Sequence, residues 1–194
     1  MKLIVGLGNP GKEYENTRHN AGYRFIDSYA KNKNIEINKE KFNGFYATFT
    51  QNDEKIILLK PAKYMNLSGE VIKDYVNYFK INIDDILIIV DDLDTNIGTI
   101  KLKYKGSSAG HNGLKDIEKN LKTNKYKRVK IGISNNKDKD KVDYVIGKVE
   151  KEELDQINEV NKLAPNLIDD FITLNFDSVM NKYNKRGWYH GFYW

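Results

Sequence analysis

Apolar residues in this chain follow two rhythms: short unbroken runs, and longer stretches where they recur every three or four positions. Lys2–Leu7 and Ile86–Val90 are unbroken runs of β-branched and aliphatic residues, the pattern of strands buried on both faces. Phe42–Thr50 alternates, turns at Gln51–Glu54 and returns along Lys55–Lys60, which predicts a hairpin. Ile100–Lys105 alternates apolar residues with lysines, and Tyr126–Ile133 is a further strand. The helical rhythm predicts a helix from a cap at Asn20 to about Lys33, with Ala21, Phe25, Ile26, Tyr29 and Ala30 on one face. A second runs from a cap at Asn66 to Phe79, turning Val71, Ile72, Tyr75, Val76 and Phe79 inward. A third follows the loop Gly106–Asn112, capped by Asn112, and ends near Leu121. Ser134–Asp143 reads as a charged loop, and Lys151 to about Leu174 as one or two helices interrupted near Pro165.

Strands alternating with helices predict an α/β fold, a three-layer sandwich in which helices flank a mixed, twisted β-sheet. The hairpin forces some antiparallel pairing into it. No linker or repeat divides the chain, so we read a single domain over residues 1–185, followed by an aromatic tail at 186–194, RGWYHGFYW, with no assigned role.

A chain of 194 residues can bury a sizeable core. No apolar run approaches the ~18 residues that span a bilayer, and MKLIVGLGN is too short an apolar start for a secretory signal. The expectation is a cytoplasmic protein with no membrane partner. The absence of cysteine excludes disulfides, thiolate metal sites and a cysteine nucleophile. Net charge is +5, and its placement says more than its size. Residues 101–130 hold ten lysines and arginines against only Asp116 and Glu118, which points to a nucleic-acid face.

Three patterns compete to carry chemistry. Gly6-Leu7-Gly8-Asn9-Pro10-Gly11 satisfies the dinucleotide fingerprint G-x-G-x-x-G, whose physics requires a helix to start at the glycines and cradle a pyrophosphate. Here the first good amphipathic stretch starts near Asn20, and Phe42–Thr50 lacks the expected acidic residue. Gly106-Ser107-Ser108-Ala109-Gly110 matches a G-x-S-x-G nucleophile elbow, which belongs at the end of a fully buried strand. The lysine-bearing strand before it is half exposed, so flexible-loop composition explains it better. The third pattern is dispersed: Asn9 and His19, Met65-Asn66, Asp91, and His111-Asn112. Singly, each suits a turn, a cap or a structural histidine; together they gather where strands end and helices begin, the edge that collects ligand sites in α/β sheets.

The segment VGLGNPGKEYENTRHNAG resembles the opening signature of bacterial peptidyl-tRNA hydrolases. KPAKYMNLSG at 60–69, ILIIVDDLD at 86–94, AGHNGLKDIE at 109–118 and RVKIGI at 128–133 extend the likeness over about residues 1–185. The resemblance implies a monomeric esterase that releases peptides from peptidyl-tRNA with no cofactor and no metal. It implies His19 as catalytic base, Asp91 as the carboxylate that orients it, and Asn9 as the group that anchors water or the oxyanion. It assigns Tyr14, Met65, Asn66, His111 and Asn112 to substrate binding, and Lys103, Lys130, Lys139 and Lys141 to the tRNA, at its acceptor stem and 3′ end. Three departures stand out: a glycine-poorer loop at 106–110, Lys130 in place of an arginine, and the Ser134-Asn135-Asn136 turn. The first amides of the helix at Asn112–Leu114 are a further candidate for an anion. A non-enzymatic RNA-binding protein and a nicotinamide-dependent oxidoreductase are the alternatives.

Overall fold

Among the described residues, 1–184, a computed structural model places seven strands in one sheet, in the order β2-β3-β4-β1-β5-β7-β6. The aromatic tail at 186–194 lies outside the described residues. The strands are β1 (Lys2–Gly6), β2 (Lys39–Lys41), β3 (Gly44–Gln51), β4 (Glu54–Pro61), β5 (Ile86–Asp92), β6 (Ile100–Lys103) and β7 (Lys127–Gly132). The middle of the sheet, β4-β1-β5-β7, is parallel, and antiparallel pairs close both ends. This is the expected mixed sheet, with the hairpin β3–β4 supplying one antiparallel end.

Strand alternation sends neighbouring residues to opposite cores. Ile4, Ile56, Leu58, Leu87 and Ile89 join one apolar cluster; Leu3, Val5, Ile57, Leu59, Ile86, Ile88 and Val90 join the other. Helix α1 (Ala21–Asn32) and the C-terminal helices α5 (Lys151–Asn158), α6 (Ala164–Thr173) and α7 (Phe176–Tyr183) pack into the first cluster. Helices α2 (Ser68–Phe79) and α3 (Asn112–Leu121) cover the second. Both layers bury their sheet face, which is why the central strands read as unbroken apolar runs.

Of three predicted caps, one keeps its position and two are corrected. Asn20 holds the N-cap position of α1 at the end of the 3₁₀ turn Arg18–Asn20, but its side chain makes no cap hydrogen bond there. Asn66 lies within the 3₁₀ turn Met65–Leu67 ahead of α2, and its side chain is exposed. At α3 the cap is His111, one residue earlier than predicted, with Asn112 already helical. Three short elements escape sequence patterning. Strand β2 is entirely charged and earns its place through main-chain pairing with β3. Helix α4 (Lys141–Ile146) starts within the charged stretch, where Asp140 caps Val142 and Asp143. Helix α7 begins at an Asn175 cap whose side chain accepts from Ser178 N at 2.9 Å. Asn184, just after α7, pairs with both main-chain groups of Leu102 on β6, at 2.8 and 3.0 Å.

The glycines of the opening segment serve close packing. A Cβ on Gly6 would lie 2.5 Å from the Gly22 carbonyl oxygen and 2.7 Å from Ile26 Cγ2, so α1 crosses β1 with no room for a side chain. Helix α1 starts at Ala21, well beyond Gly11, so its N-terminus is not at the glycines. Gly6→Ala is expected to cost about 1–3 kcal/mol by forced backbone displacement, measured by urea denaturation.

Candidate active site

Asp91 lies at the end of β5, 3% exposed, and its carboxylate is shared between two imidazoles. His19, carried by the Arg18–Asn20 turn, directs Nδ1 to both carboxylate oxygens at 3.0 and 2.9 Å. His111 directs Nε2 to Oδ1 at 2.8 Å. The rings stand 4.8 Å apart between centroids. Burial alone would push the Asp91 carboxyl up, but the two histidines outweigh it and hold it well below the usual carboxylate range.

The neighbours fix both tautomers. His111 Nδ1 accepts from Gly113 N at 3.1 Å and Leu114 N at 3.3 Å, so the ring proton sits on Nε2 and is donated to Asp91. His19 donates Nδ1–H to the same carboxylate, which leaves its Nε2 lone pair free. Of the amides Asn112–Leu114 predicted to hold an anion, those of Gly113 and Leu114 are already taken by His111. His19, Asp91 and His111 also gather ligand-type atoms within 4.8 Å. A metal on His111 Nε2 would drive its proton to Nδ1, against two amide N–H groups, so this donor set does not suit one.

Asn20 performs a different task from capping. Its Oδ1 accepts from Asn9 N at 2.8 Å and its Nδ2 donates to Asn9 O at 3.0 Å. Asn9 Oδ1 in turn accepts from Met65 N at 2.6 Å, which leaves Asn9 Nδ2 as the outward donor. Met65 is buried, with its sulfur packed against Gly113 and thus near His111. Tyr14 lies in the turn Lys12–Tyr14 and meets exposed Tyr64 edge to face at 6.1 Å.

Two openings flank this centre. A cavity of about 70 Å³ is lined by His19, Asp91, Asn112, Lys130 and Lys141 among others. Asn9 lines a wider groove of about 710 Å³ together with Asn20. Asn66 is exposed and lines neither opening. Ser108, the elbow serine of the sequence pattern, lines the small cavity from the loop after edge strand β6.

Two arginines brace the His19 turn, and sequence patterning misses both roles. Arg18 is buried against the Tyr144 ring at 3.9 Å, donates to Tyr144 O at 3.0 Å and pairs with Glu153. Tyr144 belongs to α4, whose Lys141, Val142 and Val145 form a wall of the small cavity. Arg24 donates to Thr17 O at 2.6 Å, Glu15 O at 3.1 Å and Asn158 Oδ1 at 2.8 Å. Burial pushes its guanidinium down to about 10 against the pull of Asp91.

Strand register gathers the cations. Lys101 pairs with Lys130 and Lys103 with Arg128, so all four share one face at the β6–β7 edge. Burial pushes the Lys130 ammonium down, and Asp92 opposes the shift. Arg128 is fully buried, and one of its guanidinium nitrogens, Nη1, has no partner. Its alternation with Lys130 in the sequence was the signal that could have found it. Lys141 reaches the small cavity, whereas Lys139 stands exposed in the preceding loop and lines neither opening.

Comparison with known proteins gives a consistent result. The family model described as peptidyl-tRNA hydrolase matches residues 3–189. A peptidyl-tRNA hydrolase of Bacillus cytotoxicus is 46% identical over 185 residues, covering 95% of this chain and 100% of that protein. One from Clostridium botulinum (strain Alaska E43 / Type E3) is 45% identical over 184 residues, covering 95% and 96%. The crystal structure of peptidyl-tRNA hydrolase from Acinetobacter baumannii superposes with a TM-score of 0.88 at 34% identity, covering 95% of this chain and 94% of that one.

The Asp91 carboxylate carries a pH signature. The unfolded carboxyl takes up its proton near the ordinary value of about 3.9, while the folded one resists to much lower pH, so its contribution to stability is lost as pH falls below that range. Asp91→Asn is expected to flatten this acid limb, measured by urea denaturation between about pH 5 and about pH 2.

Proposed function

Because the chain belongs to the peptidyl-tRNA hydrolase family, we propose that it hydrolyses the ester between a peptide's C-terminal carboxyl and the 3′ ribose oxygen of tRNA, with His19 as the base. The observation that carries this reading is the His19 tautomer: Nδ1–H is spent on Asp91, and the free Nε2 belongs to a residue lining a small cavity. Nε2 takes a proton from water as the water attacks the ester carbonyl. Asp91 then stabilises the imidazolium. A base of this kind contributes about 10²–10⁴-fold, which suits an ester, more reactive than an amide.

His111 acts on the reaction through Asp91, holding the carboxylate oxygen that it shares with His19. Asn9 offers Nδ2 to the carbonyl oxygen as it becomes an oxyanion, a donor worth about 2.7–4 kcal/mol. Asn112 stands at the cavity where it can hold the attacking water, and Met65, whose N–H holds Asn9 Oδ1, fixes the orientation of Asn9, with Asn66 and Tyr14 offered to the substrate from the exposed turns beside it. A free α-ammonium could not reproduce the contacts of an amide among these asparagines, which favours blocked amino groups.

The acceptor stem lies along the face of Lys103 and Lys130, with Lys141, the first residue of α4, beside Lys130 at the small cavity and Lys139 exposed in the loop before it. Support comes from the concentration of cations there and from the unpartnered Arg128 nitrogen behind them.

Release of N-acyl-amino acid from N-acyl-aminoacyl-tRNA tests the reading. His19→Ala is expected to lower turnover by about 10²–10⁴-fold with tRNA affinity retained; undiminished turnover would overturn the assignment. Lys103→Ala is expected to weaken tRNA binding and reduce the salt slope by about one, followed by titration at several salt concentrations.

A further inference from the structure

His19 stands on a turn of only three residues, yet a base works only when held within about 0.5 Å of its productive place. In a 3₁₀ turn successive side chains leave about 120° apart. Each of the three in Arg18–Asn20 is engaged in its own direction. Arg18 meets Tyr144 and Glu153, His19 meets Asp91, and Asn20 meets the main chain of Asn9. We propose that Arg18, its charge cancelled by Glu153, is a positioning residue for the hydrolysis, clamping the turn to α4 and thereby fixing the direction of the His19 ring. The inference rests on the hydrolase reading above.

The clamp reaches the Asp91 carboxylate by a second route. Tyr144 takes the Arg18 guanidinium against its ring at 3.9 Å and accepts from it at its carbonyl oxygen at 3.0 Å. The Tyr144 hydroxyl donates to Ile133 O at 2.9 Å, and Ile133 N donates to Asp92 O at 3.1 Å. Asp92 follows Asp91 on β5. His19 and Asp91 are thus joined twice, once by their own hydrogen bonds and once through Arg18, α4 and the residue after β7. A shift of the turn away from β5 strains both connections.

Stability alone does not account for the pair. Arg18 is 6% exposed, and its Nε has no hydrogen-bond partner among the described residues. A buried ion pair stabilises a fold little, because desolvation offsets the attraction, and apolar residues of like volume serve as well or better. A buried donor left unpaired adds a further cost. What a guanidinium offers instead is a flat, rigid fork that holds its partners in one orientation. Its charge, one residue from the base, would by itself oppose the imidazolium that His19 becomes during the reaction. Glu153, on α5, cancels that field.

The variant Arg18→Met/Glu153→Gln removes both charges together and separates positioning from mere support of the fold. Its urea midpoint is expected to stay near that of wild type. With N-acetyl-aminoacyl-tRNA as substrate, kcat is expected to fall by about 10- to 100-fold while KM stays within about twofold. Arg18→Lys keeps the charge but not the fork, and its kcat is expected to fall by about tenfold. In the protein without substrate, the Nδ1–H proton resonance of His19, identified by its loss in His19→Ala, is expected to shift in both variants. Wild-type kcat in the double variant would overturn the proposal, as would a rise in KM with kcat unchanged. So would a fall in kcat matched by the loss of folded protein, or one with the His19 resonance unmoved. Wild-type protein that leaves the substrate intact would remove the hydrolase reading, while the resonance still tests the hold of Arg18 on His19.

Discussion

A buried carboxylate held between two imidazoles is the interaction on which the rest of this structure turns. An ionised group so far from water is tolerable only when its charge is matched by hydrogen-bond donors. Asp91 has one from each side. The sheet supplies the rigid end of β5, and two different local devices deliver the histidines. His19 arrives on a 3₁₀ turn before α1; His111 arrives as the cap of α3, so that one ring satisfies two helix amides and the carboxylate together. Helix initiation and active-site order are thereby the same event at α3.

The His19 turn is irregular backbone, and regular secondary structure does not fix it. Side chains do so instead. Asn20 pairs with the main chain of Asn9 as a neighbouring strand would, and Arg24 collects the Glu15 and Thr17 carbonyls. Arg18 ties the same turn to α4 and to Glu153. The N-terminal loop therefore depends for its shape on helices from the far end of the chain. Bracing of this kind fixes the imidazole of His19 against Asp91 before any ligand arrives.

The central strands and the faces of α1, α2 and α3 were legible in the sequence because burial on both sides writes itself as apolar runs and helical stripes. Their caps were not, because asparagine offers the same atoms to a helix amide, a strand-like main chain or solvent. Asn20, Asn66 and Asn112 all looked like caps; Asn20 keeps the position but spends its side chain on Asn9, and the caps of α2 and α3 fall on Leu67 and His111. His19 and Asp91 could be suspected from their places beside turn and strand end. Their pairing, separated by 72 positions, could not be derived from local pattern. The role of Arg18 was hidden for a similar reason: its partners, Tyr144 and Glu153, belong to elements whose sequence reads as charged surface.

The small bond between Asn184 and Leu102 has a consequence for the protein in a crowded solution. An edge strand with bare amides and carbonyls is a template on which another chain can add, and sheets that join edge to edge grow into aggregates. On β6 the main-chain pair of Leu102 is already occupied by a carboxamide, and lysines stand on either side of it. The strand that carries this cluster of cations is thus also guarded at Leu102 against its own kind.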